Sequence, residues 1–403
     1  MASKEINSRE FITELGVKLA GTGLLFNQLG AKLAYGGGKP APKKDKGAHM
    51  EYRALGKTGL KVSTVSFGVM RLKEPAVLLK SLDLGINYFD TAHNYQNGNN
   101  EIMLGKVAKE YGRKKIFIAT KIHPFHMQKT LSQEFSLLER KEMDEMMDKS
   151  LKRLQTDYVD VLFIHNIMDK SWPLKEEVLA FLENLKKKGK ARFVGISTHD
   201  PRCYVDAVDN ALKAKIYDVV LAWINFKSPP EHAAVLKKAR KADMGIVAMK
   251  TQGGGYKKGV TASLSPQQAA LKWVLDKDFI DCAIPGMVNN EQLLENVEAM
   301  GKKVSWSDRK ILHAYYNSIK HQYCVMCGKC FSTCAHNVDI NTVNRALMYC
   351  EGYGDFEQGR RTYLALGKRE NGLSCMNCTS PTCQCANGIR IAERMRHAHT
   401  LFV

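Results

Sequence analysis

Nowhere in its 403 residues does this chain run through the ~18 uninterrupted apolar residues that a membrane span requires. No G-x-G-x-x-G turn follows an early strand, so the dinucleotide crevice of an open, doubly wound sheet is not expected. No flavin signature is present either. Acidic residues are scarce: 41 Asp and Glu face 60 Lys and Arg, a formal charge of +19. The surplus is spread along the chain without a recognised nucleic-acid-binding module, so no nucleic-acid partner is expected. A basic solvated surface of this kind attracts phosphorylated cofactors or a small acidic electron-carrier protein.

What the chain does have is cysteine. Of eleven, eight fall in two runs: Cys324, Cys327, Cys330 and Cys334, then Cys375, Cys378, Cys383 and Cys385. Clustered C-x₂-C spacing in a large chain points to metal rather than disulfides, and to a reducing compartment. The first run is C-x₂-C-x₂-C-x₃-C. Its first three thiolates suit one face of a [4Fe–4S] cubane, and the fourth of such a run often serves a neighbouring cluster. Zinc is the rival, because paired C-x₂-C also ligates zinc; four cysteines within eleven residues favour the cubane. In the second run Pro381 occupies the third ligand's place and Cys383 is displaced. Cross-ligation would assign Cys324, Cys327, Cys330 and Cys385 to one cluster, and Cys375, Cys378, Cys383 and Cys334 to the other. Otherwise Cys383 is a bystander and the second site is degraded or holds a different metal. Cys203, Cys282 and Cys350 read as small buried hydrophobes.

Three regions follow from the pattern. Residues 1–50 contain a signal-like segment and a Gly/Pro/Lys linker. Asn7 to Ile12 and the weakly apolar stretch behind them resemble a twin-arginine export signal. Ser8 replaces its first arginine, and Lys18 and Lys32 interrupt its apolar part. A degraded signal on a cytoplasmic protein is the reading; export is the alternative. Residues 51–314 alternate strand-like runs (62–68, 85–90, 115–121, 158–165, 191–197, 217–224, 244–250, 279–286) with helical spacing, as at 138–154 and 266–277. Eight strands in βα rhythm predict an α/β fold, a (β/α)₈ TIM barrel. Gly253, Gly254 and Gly255 read as a mobile loop. Residues 315–403 lose the strand rhythm, with helical stretches at 339–349 and 389–398. They predict a small, mostly helical iron–sulfur domain that leans on bound metal for stability.

In a barrel of this type the strand C-termini gather at one mouth. There the sequence places Asp90, Lys121 and His165, with Tyr95 just beyond Asp90. A lysine ammonium held by a buried carboxylate would favour the phenolate of a neighbouring tyrosine, making Tyr95 a general acid toward a carbonyl oxygen. His165 would donate a second hydrogen bond to that oxygen. His123, His126 and His199 lie in loops beside the same mouth and are expected to line it.

The stretches EYRALGKTGLKVSTVSFG, LGINYFDTAHNYQNGNNE, IFIATK, VDVLFIH, RFVGIS and AIPGMVNNEQLLEN resemble the aldo-keto reductase family over roughly residues 51–310. The resemblance implies NAD(P)H bound without a Rossmann fold, reduction of an aldehyde or ketone, and Asp90, Tyr95, Lys121 and His165 as catalytic tetrad. It implies cofactor contacts at Ser197, Thr198, Asn225, Lys250, Gly286, Gln292 and Asn296. Thr198 stands for the usual asparagine, Leu221 for the usual glutamine, and Met249 for an aromatic. Gly286 and Gln292 replace cations that grip the 2′-phosphate, which leaves NADP and NAD both open. Residues 320–395 resemble the dicluster ferredoxin-like tail of one branch of that family.

The expected function is NAD(P)-dependent reduction of a small carbonyl substrate, with an iron–sulfur module attached. The alternative is a catalytically retired barrel that serves as an iron–sulfur electron-transfer or redox-sensing subunit.

Overall fold

The computed structural model describes residues 50–125, 136–256 and 265–403. The signal-like segment of residues 1–49, and His126, lie outside the described residues.

A short antiparallel hairpin, β1 (Tyr52–Ala54) and β2 (Lys61–Ser63), comes first. Leu55, Leu60 and Val62 on it join the apolar filling of a barrel interior, so the hairpin plugs the barrel floor. Eight strands make the wall: β3 (Phe67–Gly68), β4 (Tyr88–Asp90), β5 (Phe117–Ile122), β6 (Val159–Ile164), β7 (Ala191–Thr198), β8 (Val219–Trp223), β9 (Gly245–Met249) and β10 (Cys282–Ala283). Each pairs in parallel with its neighbour in chain order. Parallel bridges Val65 to Ala283 and Gly68 to Gly286 close the ring. This is the expected (β/α)₈ barrel. The single expected run at 62–68 is divided: Val62 and Ser63 belong to the floor hairpin, and Phe67 and Gly68 to the wall.

Successive side chains on a strand point to opposite faces. Tyr88, Ala119, Val161, Phe163, Val219, Leu221 and Val247 therefore fill the barrel. Their neighbours Phe89, Ile118, Leu162, Val220 and Ile246 meet the surrounding helices. Continuing the inward parity by two residues reaches Asp90, Lys121, His165 and Ser197 at the C-terminal rim. The barrel's helices begin where the sequence offers caps. Ser265 accepts from Gln268 N–H ahead of Pro266–Leu275, and Asn289 accepts from Gln292 N–H ahead of Asn290–Val297. Such caps satisfy otherwise orphaned first-turn N–H groups.

The helix Trp306–Ile319 opens with a Ser305–Asp308 capping box. It runs across residue 315, where the sequence pattern divides barrel from tail. Beyond it lie Ile340–Leu347, Phe356–Leu364, the short Leu373–Met376 and Ile391–Phe402. Met348–Gly352 winds as a π-turn, a form that tends to occur at functional sites. The helix Ile340–Leu347 packs against both Phe356–Leu364 and Ile391–Phe402. Together they enclose a small core built on Val343, Leu347, Tyr363, Met395 and Phe402. Among the described residues no helix is long and apolar enough to cross a membrane.

The tail sits on the barrel mouth, and its seat is the triple glycine after β9. Gly253, Gly254 and Gly255 all have positive φ (66°, 91° and 71°). A Cβ on Gly254 would stand 3.1 Å from the Tyr323 ring, and one on Gly255 2.6 Å from the Tyr353 ring. The expected mobile loop is instead a packed contact, because only glycine lets the tail's tyrosines come this close.

Candidate active site

Asp90 and Lys121 are both buried. Lys121 Nζ contacts Asp90 Oδ1 and donates to the Thr91 carbonyl at 2.6 Å. The same ammonium lies 4.9 Å from the centroid of the Tyr95 ring. The imidazole of His165 meets that ring edge-on, with centroids 5.9 Å apart and planes at 79°. The four expected residues are therefore one cluster. Tyr95 opens a tight turn in which Gln96 and Asn97 are held at φ of 49° and 56°. Left-handed backbone costs about 1 kcal/mol or more at a non-glycine residue. Gln96 Nε2 offsets it by donating to the Met70 and Leu72 carbonyls at 3.1 and 2.8 Å, which ties the tyrosine's loop to the rim beyond β3.

One electrostatic expectation is corrected. Burial pushes the Tyr95 phenol well above its ordinary value, and Asp90 and Tyr349 push the same way. The Lys121 charge is already committed to Asp90, so it does not offset this. Tyr95 is thus held protonated rather than poised to be phenolate. Burial raises the Asp90 carboxyl and lowers the Lys121 ammonium, with the contact between them opposing both shifts. Burial also holds His165 well below the usual histidine range, helped by His123 and Lys121. His123 is pushed down to about 3 for the same reason. Both imidazoles are neutral.

Two cavities meet at this cluster. Tyr95, Lys121, Met249 and Lys250 line both. The larger, of about 820 Å³, extends past Gly286, Gln292 and Asn296 and is bordered by Glu291 and Glu295. The other, of about 500 Å³, takes in His123, His165, Ser197 and His199. Both volumes fall within the ~300–1,000 Å³ of small-molecule sites. Ser197 Oγ accepts from Asn166 N–H at 2.7 Å. Of the expected cofactor contacts, Thr198 and Asn225 line neither cavity. Thr198 follows inward-facing Ser197 and so takes the opposite face; its hydroxyl is buried without a partner. Asn225 Nδ2 donates to the Lys250 carbonyl at 3.1 Å and to the Tyr323 hydroxyl at 2.9 Å, so its amide is already engaged. Leu221 is buried inside the barrel.

The tail supplies mouth residues that sequence reasoning missed. Tyr349, on the π-turn, receives a hydrogen bond from Lys250 Nζ at 3.2 Å, and that ammonium lies 4.6 Å over its ring. Burial pushes the Tyr349 phenol up, but Lys250 and Arg345 outweigh it and hold it below the ordinary value. Arg345 donates to His199 Nδ1 at 2.9 Å. Arg71 donates to the Tyr353 carbonyl and its guanidinium covers that ring at 4.6 Å. No periodicity marks these residues, because each contact joins segments far apart in the chain.

All eleven cysteines are free thiols. The thiols that raise Cys324, after burial, are Cys330, Cys327 and Cys385; it is pushed up to about 12. Cys330 feels Cys327 and Cys385. Cys375, pushed up to about 11 by burial, feels Cys334, Cys383 and Cys378, and Cys383 feels Cys334 and Cys378. The cysteines thus fall into two quartets, each drawing three from one run and one from the other. The runs are stitched by Thr382 Oγ1 to the Thr333 carbonyl (2.7 Å) and Gln384 N–H to Thr333 Oγ1 (3.0 Å). Met326 N–H and Asn387 N–H point at Cys324 Sγ and Cys385 Sγ at 3.4 and 3.3 Å. Among the described residues no three His, Cys, Asp or Glu side chains converge as they would on a single ion. Cys203 and Cys282 are buried as expected, whereas Cys350 is half-buried.

The family model described as "Aldo/keto reductase family" matches residues 68–262. The chain is 35% identical over 190 residues to L-galactose dehydrogenase of Arabidopsis thaliana, covering 44% of this chain and 57% of that protein. It is 32% identical over 222 residues to an uncharacterized oxidoreductase, YrpG, of Bacillus subtilis, covering 51% of this chain and 68% of the relative. The chain spans about half the length of several curated relatives that it matches, the plant dehydrogenase included. Among solved structures, an aldo-keto reductase from Bacillus halodurans aligns with a TM-score of 0.55 at 24% identity. That alignment covers 66% of this chain and 96% of the other, a likeness of fold. The chain belongs to the aldo/keto reductase family.

Proposed function

We infer that the protein reduces an aldehyde or ketone by hydride transfer, with the carbonyl oxygen placed between Tyr95 and His165. The observation that carries this reading is the buried Asp90–Lys121 pair beneath the Tyr95 ring, with His165 edge-on, at the junction of two cavities. A bound nicotinamide dinucleotide would supply the hydride to the carbonyl carbon. The 820 Å³ cavity, with Lys250, Gly286, Gln292 and Asn296 in its wall, is the space for it, and the 500 Å³ cavity takes the carbonyl compound. Tyr95, kept protonated by burial, gives its proton to the oxygen as the alcohol forms. Lys121 then faces the resulting phenolate, and its contact with Asp90 keeps it oriented. Neutral His165 donates a hydrogen bond that fixes the oxygen. Glu291 and Glu295 disfavour a 2′-phosphate whereas Arg71, beside Gly286 in the same wall, favours one, so NADH and NADPH both remain proposed donors. The plant relative is named for dehydrogenation, the reverse direction of the same exchange.

The tail is proposed to hold two [4Fe–4S] clusters on the two cysteine quartets. Four free thiols in each set, and N–H groups aimed at sulfur, suit thiolate ligation of a cluster. A cubane spreads its ligands around four irons, which fits thiols that do not converge on one point. A second reading, the retired barrel serving as an electron-transfer or redox-sensing subunit, is favoured by one observation: Tyr323, next to Cys324, occupies the Asn225 amide. The test is Tyr95→Phe under anaerobic conditions. Carbonyl reduction should fall ~10³-fold with nicotinamide affinity nearly unchanged; unchanged turnover removes the hydride reading in favour of the second.

A further inference from the structure

The smaller cavity carries charges that hydride chemistry does not need. Five cationic side chains line it: Lys121, Arg202, Lys250, Arg345 and Arg361. Two are matched. Lys121 is held by Asp90, and Arg202 is gripped by both oxygens of Asp200 at 2.5 to 3.2 Å. The other three have no carboxylate partner among the described residues. Lys250 has the Tyr349 hydroxyl. Arg345 has His199 Nδ1 and Thr342 Oγ1, at 2.9 and 3.2 Å. Arg361 donates to Asn97 Oδ1 at 3.3 Å.

Carboxylates are present in the wall, and contacts within their own loops are among those they make. Asp339 accepts from Thr342 N–H as a helix cap. Asp169 accepts from Ser171, and Glu370 accepts from Gly367 N–H. The inner half, next to the tetrad, is governed by cations. Lys250 and Arg345 together outweigh burial at Tyr349, and both bear on half-buried His199. A guanidinium only donates, so the Arg345 contact leaves His199 Nδ1 unprotonated and puts its proton on Nε2. Two half-buried cations without a carboxylate partner beside a carbonyl site make a ready seat for an anion.

We propose that the substrate is an anionic carbonyl compound, its carboxylate or phosphate held by Arg345 and Lys250 while its carbonyl meets Tyr95 and His165. Arg345 stands on the tail and Lys250 on the barrel, so the anion bridges the two regions. Arg361, at the cavity's outer edge, draws such substrates in. This proposal rests on the carbonyl-reductase reading and assigns its substrate class.

The experiment compares matched pairs: succinate semialdehyde against butanal for a carboxylate, and glyceraldehyde phosphate against glyceraldehyde for a phosphate. The charged member of at least one pair should have the higher kcat/KM by ~10-fold or more. Which pair does so identifies the anion. Arg345→Gln keeps a hydrogen-bond donor toward His199 and removes the charge; it should lower the charged-to-neutral ratio by ~10-fold or more, mainly through KM. Arg345→Lys should restore part of it. Neutral members reduced as well as charged ones, or a ratio unmoved by Arg345→Gln, would overturn the proposal and leave the reductase intact. Calorimetry with succinate, which cannot react, separates the other failure. Arg345-dependent binding without any aldehyde turnover keeps the anion site and removes the catalytic reading.

Discussion

In the barrel, Tyr88, Phe163 and Val247 fill the interior and Phe89, Leu162 and Ile246 seal its outside against helices; in the tail, a core barely larger than one helical layer closes around Cys330 and Cys375, with Cys324, Cys334, Cys383 and Cys385 packed against it. The first arrangement is stabilised by apolar burial, which needs no added group. The second has too little apolar surface for its length and places thiols where a larger domain would place leucines. Yet the two are not independent. Tyr323, Val325, Met348 and Tyr349 belong to the barrel's own apolar cluster, and Arg345 and Tyr349 complete a cavity that the barrel begins. The difference teaches that the tail is a wall of the site as well as the bearer of the clustered thiols.

The largest expected effect tests the difference in stability. Anaerobic protein should carry about eight irons. Stripping them should abolish amide-exchange protection across the tail helices Ile340–Leu347 and Ile391–Phe402, while the strands β5 to β8 keep theirs. Equal protection in both regions, or one zinc and no iron, would erase the distinction.

A smaller effect should appear inside the barrel. Lys121→Met leaves the buried Asp90 carboxyl without its cation, so it should cost about 3 kcal/mol and lower the barrel's melting transition without touching that of the tail. A melting temperature unchanged from wild type would mean the pair contributes orientation only.

The least change is expected on varying pH. Tyr95 is held above its ordinary value, so it stays protonated and able to donate as pH rises through neutrality; His165 is held below its own, so it stays uncharged as pH falls. The kcat of reduction should therefore be flat from about pH 6 to about pH 9. A break near the ordinary histidine value would show that the mouth is wetter than the tail's cover allows.

Much of this was legible in the sequence. Period-two alternation marks the wall strands, and the same parity that buries Ala119 and Val161 carries Lys121 and His165 to the rim. The cysteine spacing shows where the thiols are concentrated, and the two mixed quartets remain part of the proposal. Parity could also have separated Ser197 from Thr198, since adjacent strand residues take opposite faces. What sequence alone could not give are contacts made only when the tail settles on the mouth: Tyr323 on Asn225, Tyr349 on Lys250 and Arg345 on His199. The triple glycine looked like freedom because the tail residues that pack on it, Tyr315 to Tyr353, lie 62 to 98 residues further along the chain. The phenol's acidity was misjudged for a related reason: proximity to Lys121 is readable, whereas burial and the prior claim of Asp90 are not.

The central claim is that a hydride, not single electrons, reaches a carbonyl at Tyr95. Supplying nicotinamide deuterated at its transferring carbon, anaerobically, and analysing the alcohol product tests it most directly. The account predicts one deuterium on the former carbonyl carbon with wild-type protein and almost no labelled alcohol with Tyr95→Phe. Unlabelled alcohol from wild type, its hydrogen drawn from water, would contradict the account.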